Sequence, residues 1–286
     1  MSFIYSLQDV KISLERINEI HGRRNEEDDG ELLTRYADDK NRSITLNDID
    51  FRYDLHALKN TLDNITFTVP QGQVTAIVGA SGSGKTTLIK LMLGYYRVNR
   101  GSIDIAGADI NRYSMTWWRR RCGVVMQDGV IFSESIARNI AVSDGDIDEA
   151  RLEEAARTAC IHDYIMSLPL KYNTKIGRDG VGLSQGQKQR ILIARAVYRN
   201  PDYIFLDEAT NSLDARNERE IVSNLSRFYR GRTVVVVAHR LSTVRDADNI
   251  IVLDAGRIVE SGNHDSLIAA RGHYYNLVKN QLELGN

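Results

Sequence analysis

Residues Gly79 to Thr86 read GASGSGKT, a complete G-x-x-x-x-G-K-[ST] string, and no other stretch constrains the fold as tightly. Glycines at 79, 82 and 84 allow backbone dihedrals that a side chain forbids. The loop can therefore present a run of backbone N–H groups to phosphate oxygens at a helix start, where the helix dipole also favours negative charge. Such a loop needs a strand before it and a helix after it. Gln73 to Val78 (QVTAIV) is a short apolar run rich in β-branched residues, and Thr86 to Leu93 (TTLIKLML) is an apolar stripe of helical length. Gly79, Ala80, Ser81, Gly82, Ser83, Gly84, Lys85, Thr86 and Thr87 are thus expected to cradle a nucleoside triphosphate. Lys85 would reach the β- and γ-phosphates, and the Thr86 hydroxyl would ligate Mg²⁺. A flexible Gly/Ser loop with an incidental lysine is the duller alternative, and both flanks argue against it.

Composition excludes several other classes. The chain has 286 residues, enough for one large or two modest domains, and a net charge of −1. That balance gives no bulk attraction to nucleic acid, so no nucleic-acid partner is expected. Two cysteines, Cys122 and Cys160, make no disulfide framework and suit a reducing compartment. No run of eighteen apolar residues occurs, and the first residues lack a signal-peptide pattern. The polypeptide in hand is expected to be soluble.

The chain changes character along its length. Ile4, Leu7, Val10, Leu14 and Ile17 recur at three and four, one stripe of an amphipathic helix over 1–21. GRRNEEDDGE follows, charged and featureless, in a stretch (22–43) read as a linker. From Ile44, ITLNDIDFRY and NITFTVPQGQ read as antiparallel strands leading to the phosphate-loop strand. A mainly helical stretch follows Gln127 and includes Ile147 to Leu168. After Pro201, YIFLDE and TVVVVAH are apolar throughout, as in a buried parallel sheet. No internal repeat is present, so one nucleotide domain is expected.

YIFLDE places Asp207 and Glu208 at the end of an apolar strand, where open α/β sheets bind their ligands. Asp207 is expected to hold Mg²⁺ and Glu208 to polarise the attacking water as general base. In isolation, two acids at a strand end are as readily explained by solvation. Their order after the GKT loop and before ATNSLD decides for the site.

The ordered set GASGSGKT, Gln127, LSQGQKQR, YIFLDE, SLD and His239 resembles the nucleotide-binding domain of an ATP-binding cassette (ABC) protein over about residues 44 to 280. The resemblance implies an α/β, ABC-type P-loop ATPase with a RecA-like mixed sheet core, an antiparallel β subdomain and an α-helical signature subdomain at about 130–200. The nucleotide-binding domain would run over 44–286. It implies ATP and Mg²⁺ as ligands. Tyr53 resembles the aromatic that stacks on adenine. Gln127 resembles the residue that links Mg²⁺ and the attacking water to the membrane domain. Ser184 and Gly186, within Ser184, Gln185, Gly186 and Gln187, resemble the signature groups that donate to ATP held by a second copy. Asp214 resembles the aspartate that crosses the dimer interface, and His239 the switch histidine on the γ-phosphate. Plainer readings stand beside these: Tyr53 as a strand-face aromatic, Gln127 as a loop amide, His239 as a core histidine and Asp214 as a helix cap. WWRRR (Trp117 to Arg121) hints at nucleic acid but is read as packing plus a solvated face.

The signature differs from the commoner LSGGQ form by Gln185, whose side chain must point away from the opposing phosphates. LSQGQKQR and TKIGRDG (Thr174 to Gly180, with Lys175 in place of an acid) are similar to exporter sequences, most of all those of peptidase-containing peptide and bacteriocin exporters. The implied partners are ATP, a second copy in a head-to-tail homodimer and the transmembrane domain of a parent exporter, with peptide cargo met only indirectly. Residues 1–21 would be the connector from that domain. The implied location is the cytoplasmic face of the inner membrane. The alternatives are the ATPase subunit of another ABC transporter, whether a lipid or drug exporter or an importer, and a non-transport regulatory cassette; a regulatory cassette would usually have lost Glu208 or His239.

Overall fold

The computed structural model describes residues 2–22, 26–27, 31–143, 145–211, 215–238 and 244–284. Helix α1 (Ser2–His21) comes first, with Val10, Leu14 and Ile17 of its apolar stripe exposed. Strands β1 (Ile44–Phe51) and β2 (Leu62–Val69) pair antiparallel, Ile44 opposite Val69 and Phe51 opposite Leu62. Next come β3 (Val74–Gly79), α2 (Lys85–Met92), β4 (Arg100–Ile105) and β5 (Ala108–Asp109). Strands β2, β1, β4 and β5 form one antiparallel sheet in that order.

The second sheet holds the site. After α3 (Met115–Arg120), β6 (Cys122–Val125) enters it, followed later in the chain by β7 (Tyr203–Asp207), β8 (Thr233–Val237), β9 (Asn249–Asp254) and β10 (Arg257–Gly262). The order is β10-β9-β3-β8-β7-β6, parallel from β9 to β6, with β10 antiparallel at the edge. Every residue of β7 and β8 is buried, which is why both read as unbroken apolar runs. Alternation divides their side chains between two cores. Ala76, Val78, Ile204, Leu206, Val234 and Val236 face one; Ile77, Tyr203, Phe205, Val235 and Val237 face the other, with α2 and the antiparallel sheet.

Between β6 and β7 lie α4 (Ile136–Ala141), α5 (Glu149–Thr158), α6 (His162–Ser167) and α7 (Gln185–Tyr198). The stretch from 147 to 168 holds two helices, α5 and α6. Cys160 takes φ 52°, its N–H donates to Arg157 O at 3.0 Å, and the Ile161 N–H donates to Ala156 O at 2.9 Å. That is a Schellman ending built on cysteine where glycine is usual. Helices α8 (Ala215–Phe228), α9 (His264–Ala270) and α10 (His273–Leu284) complete the chain.

Part of the stretch read as a linker lies against the domain. Leu33 exchanges backbone hydrogen bonds with Arg112 and Ser114. Tyr36 is buried at 8 % exposure, edge-on to Trp117, and its hydroxyl donates to Asp202 at 2.7 Å. A single aromatic among charges carries no periodicity, so the sequence pattern does not reveal this docking.

Candidate nucleotide site

The phosphate loop links β3 to α2, as its flanks require. Gly79 has φ 152°, and a Cβ there would stand 2.0 Å from the Leu253 carbonyl oxygen; Gly84 has φ 104° and is pressed against Leu62. Both positions therefore exclude a side chain by dihedral and by space. Gly84 is the N-cap of α2 and offers no side-chain cap, so the first turn keeps its N–H groups for an anion. Ser83 is buried, and its hydroxyl has no hydrogen-bond partner among the described residues, while Ala80, Ser81 and Gly82 are exposed at the loop tip.

Lys85 is 5 % exposed and folds back on its own loop, donating to Gly79 O at 3.0 Å and Ala80 O at 2.8 Å. Burial pulls its ammonium below the usual lysine value, and the charges of Glu208 and Asp207 push it back up. Asp207 ends β7, fully buried, and neither carboxylate oxygen has a hydrogen bond of normal geometry among the described residues. Burial pushes this carboxyl above the usual range; the Thr86 side chain is the strongest opposing influence, and Glu208 adds to the rise. An orphaned, buried carboxylate beside a threonine hydroxyl is a costly arrangement without a cation, and oxygen donors of this kind suit a hard divalent ion.

Sheet register gathers the remaining groups. Val125 pairs with Leu206, Asp207 with Val237 and Val237 with Ile77, so β6, β7, β8 and β3 end at one edge. Gln127 follows β6, exposed in a turn closed by Gly129 N donating to Met126 O at 3.2 Å. Glu208 follows β7, half-buried, with φ 53°. Its N–H donates to Val237 O at 3.0 Å. Two expected site residues, Asp214 and His239, lie outside the described residues.

Tyr53 stands beside the loop. Its hydroxyl and that of Thr87 are 3.1 Å apart, and its ring meets Phe51 and Tyr96 edge-on at 4.9 Å and 5.1 Å. Half of it remains exposed. The sequence pattern does not single out Asn211, whose side-chain amide donates to Glu208 Oε2 at 2.7 Å. Only its place three residues after the glutamate could have signalled it.

The signature segment is built differently. Ser184 caps α7 with a full capping box: Gln187 N–H donates to Ser184 Oγ at 3.2 Å, and Ser184 N–H donates to Gln187 Oε1 at 2.8 Å. The Gln187 side chain is thus engaged with its own helix, while Gln185 is exposed and Gly186 half-exposed. Helix α7 packs on α4, α5 and β6, whereas α2 packs on β3, β7 and β8. No hydrogen bond or ion pair among the described residues joins 183–187 to 79–87.

Comparison with known proteins gives concordant findings. A family model described as "ABC transporter" matches residues 62–211. The chain is 45 % identical over 238 residues to an ATP-dependent lipid A-core flippase of Saccharophagus degradans, covering 83 % of this chain and 40 % of that protein. It is 43 % identical over 277 residues to an exotoxin translocation ATP-binding protein of Pasteurella aerogenes, covering 96 % of this chain and 38 % of that one. It therefore spans about two fifths of the length of these relatives. A solved structure of a bacterial Atm1-family ABC exporter with ATP bound matches with a TM-score of 0.86 and 36 % identity, over 96 % of this chain and 47 % of that one.

Proposed function

This chain belongs to the ABC transporter family and carries its ATPase domain, and we propose that it powers an exporter as one half of a head-to-tail pair that sandwiches two ATP molecules. The observation that carries the reading is the buried couple of Lys85 and orphaned Asp207 at the strand edge that also bears Glu208. In this reading Lys85 and the N–H groups of 79–87 bind the phosphates, and Tyr53 stacks on adenine. Thr86, Asp207 and Gln127 would hold Mg²⁺, which would neutralise phosphate charge. Glu208 orients the attacking water and takes its proton as the bond from γ-phosphorus to the ADP oxygen breaks. His239 is assigned to the γ-phosphate. Ser184, Gln185, Gly186, Gln187 and Asp214 are assigned to the nucleotide of the opposing copy. Residues 44–286 would be the nucleotide-binding domain, with its helical part at about 130–200, and 1–21 the connector to a transmembrane domain, joined through 22–43. The domain would act at the cytoplasmic face of the membrane.

For cargo we propose a peptide or protein. The exotoxin relative matches 96 % of this chain and so reaches into α1, whereas the flippase match covers 83 %. The slightly higher identity to the flippase favours lipid as the second reading. In the full-length transporter, ATPase stimulation by peptide supports the first, and stimulation by lipid A alone overturns it.

The trans arrangement has a direct test. Lys85→Ala and Ser184→Ala proteins are assayed separately and then mixed. In a mixed head-to-tail pair one site combines both lesions and the other is intact, so activity returns on mixing. If each signature served its own chain, mixing would restore nothing.

A further inference from the structure

We infer that Asn211 is a positioning residue for the hydrolytic step, holding the Glu208 carboxylate in the rotation that water activation needs; this rests on the assignment of Glu208 as general base. Strand β7 ends on Asp207, and the next residue must leave the sheet. Glu208 does so with φ 53°, a left-handed conformation costly for a side chain larger than glycine. Among the described residues, two backbone bonds hold it there. Its N–H donates to Val237 O across β8 at 3.0 Å, and its carbonyl accepts from Asn211 N–H at 3.2 Å, closing a turn. The same Asn211 then returns its side chain to the residue it turned, donating from Nδ2 to Glu208 Oε2 at 2.7 Å.

The orientation of that amide follows from chemistry, because an ionised carboxylate only accepts and the partner must be the NH₂ group. Asn211 itself is exposed, so its side chain contributes little to the core. What it supplies is angular. A glutamate side chain has three rotatable torsions, and the bond from Asn211 fixes Oε2 against the turn's own closing residue before substrate arrives. Aspartate at this position would keep the shape and lose the donor, setting two carboxylates against each other.

The test is a double-mutant cycle read by single-turnover hydrolysis of ATP, with nucleotide affinity and thermal midpoint measured alongside. Asn211→Leu, close in shape and without a donor, is expected to lower the hydrolysis rate by about tenfold, as a displaced catalytic group does. ATP affinity and the thermal midpoint should stay at parent values, and Asn211→Gln should recover part of the rate. In a Glu208→Ala background, Asn211→Leu should cost nothing further, because the group it positions is gone. An undiminished effect in that background overturns the inference while leaving Glu208 as base intact. A parent-level rate in Asn211→Leu also overturns it. If Glu208→Ala alone hydrolyses at the parent rate, the assignment of the base has failed instead.

Discussion

The phosphate loop and the signature segment both begin a helix, and both spell their beginning in serine, glycine and a following polar residue, yet the two helix starts are built to opposite ends. Helix α2 starts at Gly84 with no side-chain cap, a buried serine hydroxyl without a partner among the described residues and a lysine turned onto its own carbonyls. Helix α7 starts at Ser184 with both members of a capping box satisfied and with Ser184 and Gln185 exposed. The first start is under-satisfied and buried; it gains from a charged ligand. The second is complete on its own and only half commits its serine, because Oγ accepts from Gln187 N–H and its O–H proton can still donate outward. A composite site divided this way keeps the costly, desolvated half within one chain and leaves the stable half on a surface that another copy can reach.

Changes in the buried half should therefore act hardest. Glu208→Gln keeps the size of the side chain and removes its capacity to take a proton. Turnover should fall by roughly 10³-fold while ATP affinity persists. A parent-level rate would move the chemistry away from the β7 edge. Next in size is Asp207→Asn, which should separate function from stability. The buried carboxyl sits above its usual pKa because of burial, with the charge of Glu208 adding. Folding thus favours its protonated form, and the penalty for ionising it is absent below the unfolded value. That penalty grows as pH rises from the unfolded value and is complete above the raised folded value. The amide should raise the thermal midpoint of the nucleotide-free protein by a few degrees at neutral pH, and the gain should shrink as the solution is acidified. Mg²⁺-dependent hydrolysis should be lost in the same variant. A lowered midpoint at neutral pH would mean that Asp207 is structurally satisfied after all.

The sequence exposed the buried half more fully than the rest, for a physical reason. A loop that must pass a backbone within 2.0 Å of where a Cβ would be tolerates only glycine, so the requirement is written in residue identity. Strands buried on both faces are likewise written as unbroken Val, Ile and Phe, and β7 and β8 fall where YIFLD and TVVVV stand. Features that rest on one contact leave no such trace. The break at Cys160 uses the dihedral that glycine would have announced. Tyr36 docks from a charged stretch through one ring and one hydroxyl. Asn211 is one amide in a turn. The capping box was hidden in plain view, since Ser184 and Gln187 have its S-x-x-Q spacing but are claimed first by the family signature.

The smallest effects should come from the exposed half, and they separate its two duties. Ser184→Ala removes an N-cap, a change worth about 1 kcal/mol, so the thermal midpoint should drop by a few degrees. If the hydroxyl also donates to an opposing nucleotide, turnover should fall by about tenfold, the scale of one hydrogen bond to a charged group. Ser184→Gly discriminates the duties: glycine is a tolerable N-cap, costing only a few tenths of a kcal/mol, but it donates nothing from a side chain. Turnover lost with the midpoint kept would assign the serine to the opposing ATP, and both kept would reduce it to a cap. Gln185→Gly completes the series. Gln185 is exposed at the first position of α7, where its side chain can lie outward while the backbone of 184–187 keeps its geometry. Restoring glycine there should change turnover by no more than about twofold, well inside the cost of one hydrogen bond. A large gain would show that the glutamine obstructs the facing phosphates, and that this surface is tuned below its full rate by that side chain.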